Sequence, residues 1–144
     1  MRGPRDIDHL KSEMEELFAD LCQVPRLVAS RSGFRPLVDV YRTEDPAAVV
    51  VVAELAGVDP ADVELAVGDG VLVISGKRER ELHPRAVQQL EIDYGPFRRR
   101  IPLAEPVNAD AAEATYARGL LKVVLPVAAR TSGPVRVPVT RGAA

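Results

Sequence analysis

The chain has 144 residues, a formal net charge of −2, 47% hydrophobic and 28% charged residues, the profile of one soluble domain with a core that buries roughly 68–70% of the unfolded surface. Twenty-one Val, 19 Ala and 14 Leu stand beside no Trp and 4% aromatics, with 12 Pro and 10 Gly as breaks. Valine is stiff at χ1 and packs well on pleated surfaces, so an all-β body is expected. No apolar run is long enough to span a membrane. The start, MRGPRDIDHLKSEMEE, turns acidic and amphipathic where a signal peptide would be apolar. Cys22 is the only cysteine, which rules out an internal disulfide or a thiolate zinc cluster and fits a reducing cytoplasm.

In chain order, Ile7, Leu10, Met14, Leu17, Phe18 and Leu21 recur at helical spacing with charges between them. They predict an amphipathic helix over 7–22, capped by Asp6 or Asp8 and ended by Pro25. Residues 26–34 read as a linker. Leu37–Arg42 and the apolar Ala47–Leu55 predict two strands around the turn Thr43–Pro46. Asp62–Val67 alternates strictly, with Val63, Leu65 and Val67 on one side, as in a half-buried strand. Gly68-Asp69-Gly70 reads as a tight hairpin whose glycines take positive φ, with Val71–Ser75 returning. The charged segment 77–89 reads as an exposed excursion. Leu90–Tyr94 and Phe97–Leu103 predict a strand pair around Gly95-Pro96. Ala111–Ala117 and Leu120–Leu125 predict a last hairpin across Arg118-Gly119. Short strands at this spacing indicate a β-sandwich. Beyond Pro126 the tail has no acidic residue, and Val135, Val137 and Val139 alternate within it. That alternation is expected to dock on a partner as an extended segment, because free valines gain nothing in water and the prolines bar a sheet interior.

The residues that would carry chemistry are few. His9 and His83 lack metal-ligand spacing. No serine sits in a nucleophile elbow and no phosphate-binding glycine loop exists, so neither catalysis nor a cofactor or metal is expected. Arg98-Arg99-Arg100 is the one dense basic cluster, but residues 35–126 hold 15 acidic against 11 basic residues, which argues against nucleic acid. The acidic polar face of the helix argues against a membrane surface.

The ordered blocks Val38-Asp39-Val40-Tyr41, Glu54-Leu55-Ala56-Gly57-Val58, Asp69–Arg78, Tyr94-Gly95-Pro96-Phe97 and Ala114–Pro126 resemble the bacterial small heat-shock proteins and their alpha-crystallin domain. The most specific of them is Gly119-x-Leu121-x-Val123-x-Leu125-Pro126. The resemblance implies an immunoglobulin-like β-sandwich over 35–126, an N-terminal assembly arm over 1–34 and a flexible C-terminal extension over 127–144. It implies an ATP-independent holdase that binds unfolding client proteins and assembles with copies of itself into dimers and larger oligomers. Within the arm, Leu10, Met14, Leu17, Phe18 and Leu21 either pack on their own domain or meet clients and neighbours. A strand from the 78–90 loop would exchange with a partner's sheet, placing Pro84, Val87 and Arg99 at the dimer interface, though Arg99 also fits a solvated edge. The tail of one subunit would dock in a neighbour's groove lined by Val63, Leu65, Val67, Ala112 and Ala114. Two registers are open, Val135/Val137 and Val137/Val139, of which the second is preferred. Valine stands where the family more often has isoleucine, about 0.8 kcal/mol lighter per anchor, so docking is expected to be weaker and more reversible. The alternative is a monomeric sandwich that serves as co-chaperone or adaptor for one specific partner.

Overall fold

The computed structural model describes residues 33–81, 85–129 and 134–142. The expected helix over 7–22, with Leu10, Met14, Leu17, Phe18 and Leu21, and Cys22, both histidines and Pro84 all lie outside the described residues. Val38–Thr43 forms β1, Ala48–Glu54 β2, Glu64–Gly68 β3, Val71–Arg78 β4 and Gly95–Pro102 β5. Glu113–Ala117 forms β6, Leu120–Pro126 β7, Val135–Arg136 β8 and Val139–Arg141 β9. They make two sheets, β1-β2-β7-β6-β9 and β5-β4-β3-β8, and the expected all-β, immunoglobulin-like β-sandwich is what the chain adopts.

The core lies between the sheets. Val49, Val51 and Ala53 of β2 pair with Leu125, Val123 and Leu121 of β7, and all six are buried. Leu65 and Val67 pair with Ile74 and Leu72 on the facing sheet and complete the apolar interior. The two hairpin tips follow backbone chirality. Asp69 (φ 53) with Gly70 (φ 76), and Arg118 (φ 52) with Gly119 (φ 81), are two-residue turns with positive φ at both positions, the twist that suits antiparallel strands. Gly68 differs from its expected role: it is the last residue of β3, with no positive φ.

Four further segments differ from the sequence reading. β4 continues to Arg78, through residues expected in the exposed excursion, because Lys77 and Arg78 find ladder partners in Pro96 and Gly95. Leu90–Tyr94 is not a strand; the two β5 residues that follow it take the place beside β4 that the expected hairpin would have used as a turn. Asp62 and Ala111 sit in short 3-10 turns, Pro60–Asp62 and Ala109–Ala111, instead of strands. Asp59 and Asn108 cap these turns by accepting from the N–H of Ala61 and of Asp110, as short polar side chains do before a turn of helix.

Candidate functional site: a groove between the two sheets and the tail that fills it

β3 and β6 are the strands that the tail meets, one on each sheet. Val63, Leu65, Val67 and Ala114 are buried there, and Ala112, at the end of its 3-10 turn, is partly buried against the core. Both strands offer backbone donors and acceptors along one side, as any sheet edge does. The apolar floor and the paired edges together select an extended segment with aliphatic side chains at alternate positions.

The chain's own tail takes this place. Val135 and Arg136 run antiparallel to β3, opposite Val67 and Ala66. The Val137 N–H donates to the Leu65 carbonyl at 3.0 Å, and its side chain is 5% exposed. Across Pro138 the segment changes sheets: Val139, Thr140 and Arg141 run parallel to β6, beside Ala114, Thr115 and Tyr116. The Thr140 hydroxyl donates to the Ala114 carbonyl at 3.1 Å, and the Gly142 N–H donates to the Tyr116 carbonyl at 2.9 Å. Val137 is therefore the deepest anchor, with Val135 and Val139 packed less completely on either side. All three valines engage at once, where the sequence reading framed two competing pairs.

Sequence reasoning missed several contacts. A Cβ at Gly68 would lie 2.5 Å from Pro134 Cα, so this glycine admits the tail backbone. A glycine inside a strand pattern is itself the signal of such close approach. Arg141 reaches Asp59 at 3.7 Å, both side chains largely exposed, so this pair adds little to the attraction. The Tyr116 hydroxyl donates to the Leu55 carbonyl at 2.8 Å and fixes the receiving strand against the β2–β3 turn.

Of the other expected interface residues, Pro84 lies outside the described residues, Val87 is in the loop after β4 and Arg99 is in β5. Arg99 is half-buried while Arg98 and Arg100 are exposed, the alternation that a strand imposes. Its guanidinium donates to the Pro36 carbonyl at 2.8 Å, tying β5 to the segment that enters β1. Val87 (51%), Leu90 (54%) and Ile92 (62%) stand exposed on the loop, and Val40 (48%) on β1. Lys77, beside the Glu79 carboxylate at 2.7 Å, is held above its ordinary value by that hydrogen bond and charge. Among the described residues, no group of three or more His, Cys, Asp or Glu side chains is placed to hold a metal ion, and no helix is long and apolar enough to cross a membrane.

Residues 41–140 match the Hsp20/alpha crystallin family. Heat shock protein 16 of Schizosaccharomyces pombe is 34% identical over 119 residues, 78% of this chain and 82% of that protein. The alpha-crystallin of Mycobacterium tuberculosis is 36% identical over 134 residues, 88% of this chain and 83% of that one. Among solved structures, a small heat-shock protein from Xylella fastidiosa superposes with a TM-score of 0.59 at 34% identity, covering 70% of this chain and 93% of that one. The two-sheet sandwich, the ordered sequence blocks and these similarities agree, and the chain belongs to the Hsp20/alpha crystallin family of small heat-shock proteins.

Proposed function

We propose that this protein is an ATP-independent holdase that captures unfolding client proteins, with the groove between β3 and β6 as the exchangeable contact of its assemblies. The observation that carries the reading is the fit of Val135, Val137 and Val139 into that groove. The same three valines and the same backbone pairings are on offer in a neighbour's groove as in the chain's own, so a tail that leaves one and enters the other does so at little net cost. Many such weak contacts together hold an oligomer that still exchanges subunits. Exposed Val40 on β1 and Val87, Leu90 and Ile92 on the loop supply further apolar surface for pairing with a second copy, as the family resemblance implies. The apolar residues Leu10, Met14, Leu17, Phe18 and Leu21, recurring at helical spacing in the sequence, are proposed as a site for clients.

The test is light scattering from a heat-labile client warmed without ATP, paired with the native mass of the protein. Suppressed scattering and an oligomeric mass that falls to dimers on truncation after Pro126 are expected. Unchanged scattering from the client would refute the holdase reading, and an unchanged mass would refute tail exchange. The adaptor reading is favoured by one observation, the seating of the tail on its own chain, which covers both sheet edges at once. It requires a single-chain mass and no protection of unrelated clients.

A further inference from the structure

Arg78 ends β4 opposite Gly95 of β5. Its guanidinium carbon stands 3.6 Å from the centre of the Phe34 ring and 5.4 Å from that of Tyr94. Nε and Nη2 both donate to the Asp93 carbonyl, at 2.9 and 2.5 Å, and Nη1 donates to the Ala56 carbonyl at 3.3 Å. Phe34 is held on its other side as well. Its ring meets Phe97 edge-on at 5.5 Å, and its N–H donates to the Pro96 carbonyl at 3.3 Å. The backbones leave no room between them, since a Cβ on Gly95 would lie 2.9 Å from Gly33 Cα.

Only a guanidinium can make this set of contacts. Its flat faces lie against aromatic rings while its edges donate in a fixed fork; an ammonium has neither face nor fork. The segments brought together are the first described residues of the chain, the end of the loop after β4 and the turn after β2. We infer that Arg78 is a positioning residue that couples the root of the N-terminal arm to the root of the 79–94 loop, so that loosening either one loosens the other. Its meaning for assembly rests on the reading above, in which arm and loop are the elements of self-association. The coupling is reciprocal, as any interaction through a shared group must be.

Hydrogen exchange of the full chain, read by mass spectrometry over residues 33–37 and 90–95, tests the inference. Phe34→Leu is expected to speed exchange in 90–95 roughly fivefold, the factor set by losing one ring–guanidinium contact. Tyr94→Leu is expected to speed exchange in 33–37, while Arg80→Gln, whose guanidinium carbon stands 4.3 Å from the same Tyr94 ring, leaves 33–37 at wild-type rates. Arg78→Gln loosens both segments, and Arg78→Lys restores them only in part. Exchange in the β2–β7 ladder stays at wild-type rates and shows that each variant is folded. Loosening confined to the substituted segment overturns the coupling, as does a lysine variant with wild-type exchange in both. Native mass measured on the same samples keeps the two readings separate: a single-chain mass for the wild type refutes the assembly reading, and the exchange pattern alone decides the role of Arg78.

Discussion

Val137→Ala isolates the grip of the groove. The side chain is 5% exposed and loses two methyl groups, at about 0.8 kcal/mol each. Counting the transfer loss alone, with no cavity contribution added, sets the lower bound. About 1.6 kcal/mol remains, or roughly fifteenfold in tail occupancy. Val135 and Val139 are only partly buried, so the same truncation there costs about half as much, roughly fourfold. The assay is hydrogen exchange at the Val137 amide, which donates to the Leu65 carbonyl and exchanges only when the tail lifts. Protection should fall in the order wild type, V135A or V139A, V137A, with the β2–β7 ladder unaffected. Equal protection in V137A and wild type, or a larger loss in V135A than in V137A, would refute the placement of the anchor.

Two more expectations come from the same strands. Gly68→Ala puts a methyl group against the Pro134 backbone and should release the tail while β3 and β4 stay paired; Gly70→Ala, with open space but φ 76, should lower the melting temperature slightly and leave tail protection intact, both read by exchange and thermal denaturation. Lys77 titrates above its ordinary value because of Glu79, so its stabilisation is complete below that ordinary value and fades as pH climbs through the raised one. The melting-temperature gap between wild type and Lys77→Gln should stay constant from about pH 6 to pH 9 and close above pH 10.5, and a gap that closes between pH 9 and pH 6 would contradict this assignment.

Local chemistry made some elements readable and hid others. Asp69-Gly70 and Arg118-Gly119 mark their turns because few residues accept positive φ, and β2 and β7 declare themselves through valine runs that only a covered sheet can bury. The end of β4 was hidden because Lys77 and Arg78 look like loop residues; they are strand because Gly95 and Pro96 lie across from them. Leu90 and Ile92 alternate like a strand, yet nothing in the described chain pairs with them. Alternation reports what a segment can do, and the partner decides whether it does. The valine ladder of the tail was legible for the same reason that its destination was not, because a sheet edge far away in sequence leaves no local trace.

Pro138 marks the place where the tail stops accompanying one layer and begins accompanying the other. A strap stitched to both layers cannot peel from one and keep its full hold, since Val137 lies at the seam between them. Lifting either half is therefore expected to weaken the grip of the other.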